Sequence, residues 1–395
     1  MLKNVVIVAA KRTAIGAFSG SLSATEAPDL SAPVICSLMS ESTLDPNQID
    51  EVILGQVLTA GSGQNPARQA AVAAGIDYAT PSYTINHVCG SGMKAIALGY
   101  QAIQTGSANI VIAGGQENMS LAPHVLPQSR KGKRLGHWAL QDTLLADGLT
   151  CAIENQIHMG ITAENLASKF NITREQQDAF ALHSQEKAIK AIGTDSFEGE
   201  IVPITFTDRK GNKTLFNVDE HPRLTSLEKL AQLKPAFQKD GTVTAGNASG
   251  LNDAAAAVLL MNENTAQSLN LKPMATIRGF AAAGVDPKIM GIGAAVAAQK
   301  ALDQCRLTVN DIDCFESNEA FAAQSLSVIK QLKLDEQKVN PKGGAIALGH
   351  PIGASGARIV VTLLHTLQQN QQRLGLATMC IGGGQGVSLI IERNT

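Results

Sequence analysis

The chain lacks an excess of either charge: 32 Lys and Arg residues stand against 34 Asp and Glu residues, a formal net charge of −2 over 395 residues. A nearly neutral chain offers no electrostatic attraction to nucleic acid or to an anionic membrane. It also lacks any apolar run near the roughly 20 residues that a membrane-spanning helix needs. We therefore expect a soluble protein with no nucleic-acid partner and no membrane. The start of the chain predicts a short strand rather than a signal peptide, because its apolar run is short and no cleavage site follows.

Cysteine is scarce, and none of the six cysteines is spaced C-x-x-C with another. The sequence thus lacks the patterns typical of a zinc site or of a disulfide framework. We expect a reduced, cytoplasmic protein without a metal ion, in which four thiols pack inertly: Cys36, Cys151, Cys305 and Cys314. The other two thiols, Cys89 and Cys380, lie in glycine-rich segments that suggest a chemical role.

No G-x-G-x-x-G motif follows the first predicted strand, which disfavours a dinucleotide-binding oxidoreductase. What the chain has in abundance is glycine, with 36 residues, alongside a hydrophobic content of 44%. Many small residues suit tight packing of helices on a sheet. At 395 residues the chain is long enough for two or three domains, each with its own core.

Predicted strands and helices alternate along the first part of the chain. They follow one another at residues 5–10, 28–40, 51–58, 65–74 and 109–119. Asn65 before Pro66 is typical of a helix start. Such alternation predicts a largely parallel sheet with helices on both faces. Further along, the alanine-rich stretch 252–260 predicts another helix.

The second half of the chain repeats this order. Three pairs of segments correspond: residues 313–318 with 52–56, 354–358 with 90–94, and 377–385 with 112–116. Internal repetition of this kind indicates two copies of one βαβαβ-type unit. Two such copies would bring the functional loops of both halves to one edge of the molecule.

Between the copies lies a more polar region, residues 121–250, with a capping-box helix predicted from Thr173 to about Ile192. We interpret it as an inserted loop domain that covers the active edge, since more than a hundred residues cannot be a linker. Its basic run, residues 130–134, could steer an anionic ligand, or it could be a solvated loop or a subunit contact. The predicted domains are residues 1–120 plus 251–271, residues 121–250, and residues 272–395.

Residues 82–95 predict a strand, a sharp turn at Cys89 and then a helix. Free backbone N–H groups and the positive end of the helix dipole favour a thiolate there. We therefore expect the pKa of Cys89 to lie below the free value of about 8.5. A small buried cysteine that packs a strand–helix corner is the alternative interpretation.

Two glycine-rich segments near the other end of the chain carry further reactive groups. Residues 340–356 present His350 in a loop before a long helix, and residues 378–386 place Cys380 at the end of a strand beside bare backbone N–H groups. Two thiols, an imidazole and two glycine loops suggest a nucleophile, a base, an acid and oxyanion donors.

These three segments, in this order, resemble those of the thiolases, most closely the biosynthetic members of that family, and the matching segments span essentially the whole chain. The resemblance implies an α/β thiolase-like fold: two duplicated βαβαβαββ units in five layers (αβαβα), with the inserted loop domain. It implies a reversible Claisen condensation of two acetyl-CoA molecules to acetoacetyl-CoA and CoA through an acetyl group on Cys89. Coenzyme A thioesters are then substrates, and no bound cofactor is expected.

The resemblance also implies roles for single residues. Cys89 would be the nucleophile, His350 its base, and Cys380 the base that removes the α-proton. The N–H groups of Gly382 and Cys89 would form one oxyanion hole, and His350 with a water molecule on Asn318 would form the second. For Asn318, a helix N-cap is the competing interpretation.

The pantetheine arm of coenzyme A is thin and mostly neutral, so apolar walls suit it, and an arginine suits a phosphate. The chain departs from the family pattern at three places: the segment that begins at Arg223 is about one residue shorter than expected, Ala14 stands where the family usually has Pro, and Ala254 stands where it usually has Gly. The implied CoA-binding residues are His158, Met159, Arg223, Phe237, Ala245, Ser249, Ala320 and Phe321.

Several related functions compete with this one. The main alternative is a longer-chain 3-ketoacyl-CoA thiolase of fatty-acid breakdown, although His158 and Met159 favour the short-chain type. A condensing enzyme for carrier-protein thioesters would carry the reactive residues Cys, His and His, whereas this chain has Cys, His and Cys. A non-catalytic acyl-CoA-binding relative should have lost one of the three reactive residues. The family resemblance further implies a homotetramer built as a dimer of dimers.

Overall fold

The computed structural model describes residues 4–207 and 213–394, so residues 1–3 of the predicted first strand lie outside the described residues. The strands are β1 (Val5–Thr13), β2 (Gly16–Ala17), β3 (Glu51–Gly55), β4 (Ser82–Ile85), β5 (Ile110–Asn118), β6 (His124–Val125), β7 (Gln141–Asp142), β8 (Ile201–Val202), β9 (Ile204–Thr207), β10 (Lys213–Phe216), β11 (Asn252–Asn262), β12 (Ala275–Gly284), β13 (Cys314–Ser317), β14 (Leu374–Ile381) and β15 (Gln385–Arg393). The helices are α1 (Ala27–Ser42), α2 (Pro66–Ala73), α3 (Ser91–Thr105), α4 (Met159–Lys169), α5 (Arg174–Gly193), α6 (Leu227–Ala231), α7 (Glu263–Ser268), α8 (Gly293–Cys305), α9 (Ala322–Leu332), α10 (Ala345–Leu348) and α11 (Ile352–Gln369).

The two halves of the sheet mirror one another. The strand order in the first half is β4-β3-β5-β11-β1, and in the second it is β13-β14-β15-β12. A parallel bridge between Phe315 and Val339 stands where β4 stands in the first half. The halves join where β1 and β12 pair over Val6 and Ile7. The duplicated unit is therefore confirmed.

The pairing of the strands is mixed, so the prediction of a largely parallel sheet is wrong. Strands β3, β4 and β5 are parallel, as are β13 and β14, because helices connect them. The other neighbours along the main path of the sheet are antiparallel: β14 and β15 follow one another in a hairpin, and β11 returns to β5 after the inserted region. Strand β8 lies off that path and pairs with β1 in parallel.

Helices α3 and α11 pack against each other between the two halves of the sheet. They approach closely because Gly92 and Gly356 lie at the contact; a Cβ atom at Gly92 would lie 2.8 Å from the backbone N of Ala357. Helices α1 and α2 cover the outer face of the first half, and α8 and α9 lie outside the second. The five layers run helix, sheet, helix, sheet, helix, with three buried cores between them.

The alanine-rich stretch forms strand β11 and not the predicted helix. All of its residues are buried, between β1 and β5 and beneath helices on both faces. The neighbouring strand approaches so closely that a Cβ atom at Gly114 would lie 2.1 Å from the carbonyl oxygen of Ala256. Small side chains are needed to fit this space, and that requirement overrides the helix propensity of alanine. The exchange at Ala254 accordingly lies in a strand.

The inserted region is tied to both halves by buried ion pairs. Strand β8 pairs with β1, whose Arg12 contacts Glu200 at 2.6 Å and Asp219 at 2.7 Å. Glu200 in turn accepts a hydrogen bond from Thr362 of α11. Helix α5 begins at the predicted capping box, with Thr173 as its N-cap. The division of the chain into three domains stays a prediction.

Candidate active site

Cys89, His350 and Cys380 come together in one cavity of about 500 Å³. Cys89 lies in the turn between β4 and α3, His350 follows α10, and Cys380 is the next-to-last residue of β14. The mirrored halves bring these three segments to one edge, as the internal repeat predicts.

Cys89 lies two residues before the first residue of α3, after Val88, whose φ of 48° is unusual for a branched side chain. The expected low pKa is wrong: burial raises the pKa of Cys89 to about 11. Glu117 raises it further, and the backbone N–H groups of Gly382 and of Cys89 itself only partly offset these effects. The thiol of the free protein is neutral and needs a base.

His350 is buried and has a defined hydrogen-bond chain. Its Nδ1 lies 2.6 Å from Oγ of Ser355, and that hydroxyl donates to the carbonyl of Pro351 at 2.8 Å. Because the single hydroxyl proton is used on Pro351, Ser355 accepts from Nδ1–H. Nε2 therefore carries no proton. Burial, and then the charge of Arg358, lower the pKa of His350 to about 3, so that the imidazole is neutral.

Cys380 and Asn318 complete the centre of the site. Burial, and then the neighbouring Cys89, raise the pKa of Cys380 far above its usual value. Asn318 lies behind His350, with Nδ2 3.5 Å from Nε2 of the imidazole, and its buried Oδ1 has no partner among the described residues. The N-cap interpretation of Asn318 is wrong, because α9 begins at Ala322 with Phe321 as its N-cap.

The walls of the cavity are mostly apolar. His158 stacks on Phe237 with ring centroids 4.7 Å apart, and Phe237 meets the edge of Phe321 at 6.0 Å. Arg223 is exposed and has no ion-pair partner in residues 4–207 and 213–394. The eight residues expected to contact coenzyme A all line this one cavity: His158, Met159, Arg223, Phe237, Ala245, Ser249, Ala320 and Phe321.

The structure adds residues that the sequence did not single out. Ser355 and Asn252 hold His350, the latter by accepting from its backbone N at 2.9 Å. Buried Glu117 accepts from the backbone N–H groups of Val57, Leu58 and Gly353, and burial raises its pKa to about 7. A charged residue directly after the buried Gly-Gly-Gln of β5 was the available signal for Glu117.

The described residues contain neither a metal-binding cluster nor a membrane-spanning helix. In that part of the chain, no cluster of three or more His, Cys, Asp or Glu could hold a metal ion, and no helix is long and apolar enough to cross a membrane. All six cysteines are free. Cys151 and Cys314 are buried as expected, but Cys36 is exposed, so the packing interpretation fails for it.

Comparison with known proteins gives a consistent result. A model for the thiolase N-terminal domain matches residues 5–264, and one for the thiolase C-terminal domain matches residues 271–393. An acetyl-CoA acetyltransferase of Pseudomonas aeruginosa is 58% identical over 394 residues, which cover 100% of both chains. The Escherichia coli acetyl-CoA acetyltransferase is 55% identical, over 99% of this chain and 100% of that protein. The crystal structure of the Bacillus anthracis acetyl-CoA acetyltransferase superposes with a TM-score of 0.97 at 48% identity, covering 100% of this chain and 99% of the other.

Proposed function

The chain belongs to the thiolase family, and from this premise we propose that it is an acetyl-CoA C-acetyltransferase. It condenses two acetyl-CoA molecules to acetoacetyl-CoA and free CoA, and catalyses the reverse thiolysis. The observation that carries this proposal is the meeting of Cys89, His350 and Cys380 in one apolar cavity. The full-length relatives named acetyl-CoA acetyltransferase support the substrate.

The first half-reaction transfers an acetyl group to Cys89. Unprotonated Nε2 of His350 takes the thiol proton, and the sulfur attacks the thioester carbonyl. The two charges formed are opposite and adjacent, which offsets part of the cost of creating them in a buried site. The N–H groups of Cys89 and Gly382 stabilise the oxyanion, each by on the order of 3 kcal/mol. The leaving CoA thiolate takes a proton from Cys380.

The second half-reaction forms the carbon–carbon bond. The Cys380 thiolate removes a proton from the methyl group of a second acetyl-CoA, and the enolate oxygen is stabilised by protonated His350 and by a water molecule on Asn318. The enolate carbon attacks the acetyl group on Cys89. The tetrahedral intermediate then expels the Cys89 thiolate, which recovers its proton from His350. Both thiols and the neutral imidazole are thereby regenerated.

The composition of the cavity walls supports a binding site for coenzyme A. A pantetheine arm is thin and largely uncharged, and it fits the channel between the stacked rings of His158 and Phe237 and the small residues Ala245 and Ser249. The exposed guanidinium of Arg223 on this wall suits a phosphate. Met159 and His158 close the acyl end and favour a short acyl group.

Two measurements test this function. Mass spectrometry after mixing with acetyl-CoA should find an acetyl group on Cys89; an acetyl group on Cys380 instead would contradict the assignment of the nucleophile. Thiolysis rates should fall steeply from acetoacetyl-CoA to longer 3-ketoacyl-CoA substrates. A rate that rises with chain length would favour the longer-chain thiolase.

We also propose that the protein is a cytoplasmic homotetramer, a dimer of dimers. The inserted hairpin of β6 and β7 supports this, because Leu135 and Leu140 between its strands are 90% and 67% exposed, with Trp138 beside them. Large exposed apolar side chains in one loop typically mark an interface. The six free thiols fit a reducing compartment. Sedimentation at micromolar concentration should give a tetramer, and a monomer would overturn this proposal.

A further inference from the structure

The turn that carries Cys89 is strained and held from within. Val88 has a φ of 48°, a conformation that a branched residue adopts only under strain. Oγ of Ser91 accepts from the backbone N of His87 at 2.8 Å and donates to the carbonyl of Val88 at 2.6 Å. Oδ1 of Asn86 accepts from the backbone N of Val88 at 2.9 Å. These bonds fix the shape of the turn, but they lie within it and do not fix its distance from other loops.

The glycine loop opposite this turn, residues 382–384, is held by backbone hydrogen bonding and close packing. The backbone N of Val285 donates to the carbonyl of Gly384 at 2.7 Å, and Gln385 pairs with Gly284 across the sheet. There is no free space behind it, because a Cβ atom at Gly293 would lie 2.2 Å from the carbonyl oxygen of Gln385. Gln385, the first residue of β15, is therefore held in place by its backbone.

A side-chain hydrogen bond joins the Cys89 turn to Gln385. Nε2 of His87 lies 3.1 Å from Oε1 of Gln385. An amide oxygen only accepts, so Nε2 donates the proton of this hydrogen bond. Nδ1 is buried without a partner among the described residues. Beside this bond the turn rests on β14, where a Cβ atom at Gly90 would lie 2.4 Å from Cδ1 of Ile381. Side-chain bond and packing contact together set the spacing of the two loops.

We propose that the His87–Gln385 hydrogen bond is a positioning link that keeps the sulfur of Cys89 in register with the N–H of Gly382. His87 precedes the nucleophile by two residues, and Gln385 follows the oxyanion donor by three. Neither side chain touches the reacting atoms, so both act through the backbone of the two loops. The inference rests on the proposed function for its kinetic consequence, but the link itself is a structural claim.

Kinetics of a double-mutant cycle test the link. His87→Leu and Gln385→Leu should each lower the rate of Cys89 acetylation and kcat for thiolysis by about tenfold or more, because a displaced donor loses part of its stabilisation of the oxyanion. KM and the melting temperature should change little. The double variant should be no slower than either single variant. His87→Gln, which retains a donor of similar reach, should recover most of the rate.

The control is His183→Leu, since His183 is an exposed histidine of α5 outside the cavity. Losses that multiply in the double variant, or a wild-type rate in His87→Leu, would overturn the link. Nitrogen NMR of the imidazole gives a readout that does not depend on activity: His87 should show the Nε2-protonated tautomer, which Gln385→Leu should disturb. If the wild-type protein is not acetylated by acetyl-CoA, the proposed function fails, and the NMR result still decides the link.

Discussion

In the proposed mechanism the imidazole of His350 accepts a proton from Cys89, which requires an unprotonated Nε2, and Ser355, five residues further along the chain, secures that state. Ser355 accepts from Nδ1–H because its own proton goes to Pro351. The neutral ring follows from burial and from Arg358, which lower its pKa to about 3. The protonation state of His350 therefore depends on its hydrogen bond to Ser355 as well as on the imidazole itself.

We predict that Ser355→Ala lowers the acetylation rate of Cys89 by about tenfold to a hundredfold, because it removes the acceptor that fixes the tautomer of His350. Rapid-quench measurement of acetyl-enzyme formation checks this. Ser31→Ala is a matched control, since Ser31 is also buried but its hydroxyl has no partner among the described residues. Equal rates for the two variants would show that Ser355 does not orient the imidazole.

A second prediction concerns the division of work between the two thiols. Cys380→Ala should lower acetoacetyl-CoA thiolysis by at least about a hundredfold, because it removes the acid–base group for the α-carbon. Acetylation of Cys89 should be spared far better, because water can protonate the departing CoA thiolate. The two assays are run on the same variant. If both fell equally, Cys380 would be structural or would share the work on the nucleophile.

At the scale of elements, helices α3 and α11 form the central layer and carry the loops of Cys89 and His350 at their N-terminal ends. Their glycines allow this contact, since a Cβ atom at Gly356 would lie 2.5 Å from the backbone N of Met93. The two reactive loops are therefore spaced by the distance between two helix axes. Any side chain added at the contact must push them apart.

We predict that Gly92→Ala destabilises the protein by about 1–3 kcal/mol through overpacking against the backbone of α11, and slows acetylation of Cys89. Urea unfolding and the acetylation assay measure the two effects. Gly193→Ala is the control: Gly193 ends α5 with open space around it, so alanine there should leave stability unchanged or slightly raised. A Gly92→Ala variant as stable as this control would refute the close contact.

For the whole molecule, buried titratable groups make stability depend on pH in opposite directions. Burial raises the pKa of Glu117 and of Glu316 to about 7. The two carboxyl groups contribute fully to the free energy of unfolding below about pH 4.5. This contribution is lost as the pH rises through 7, because the unfolded chain releases these protons first. His350, with its lowered pKa, acts the other way and stabilises the fold as the pH rises from about 3 to 6.5.

Titration of Glu117 should lower the free energy of unfolding of the wild-type protein by up to about 3 kcal/mol between about pH 4.5 and 7. We predict that Glu117→Gln abolishes this decrease. The variant is expected to be less stable overall, since its amide NH₂ cannot accept from backbone N–H groups as the carboxylate does. The informative quantity is therefore the slope of unfolding free energy against pH, from denaturant titrations at several pH values. Parallel slopes for both proteins would mean that Glu117 titrates normally.

Local sequence signals predict the reactive groups and the internal repeat. Cys89, His350 and Cys380 each stand in a glycine-rich segment between a strand and a helix or at a strand end, and such local signals survive folding unchanged. Helix starts at Asn65 and Thr173 were likewise predictable, because a capping side chain acts within three residues of itself.

The remaining features depend on how distant segments of the chain pack together. Residues 252–260 form strand β11 because they pair with β1 and β5 and pack closely against Gly114, which no local pattern in this stretch reveals. The pKa of Cys89 rises to about 11 rather than falling, since desolvation by distant parts of the chain outweighs the local N–H groups and helix dipole. The partners of His350, Glu117 and His87 come from segments far along the chain or depend on which proton is already used elsewhere. Burial and hydrogen-bond partnership are properties of the packed molecule, and the sequence expresses them only once it is folded.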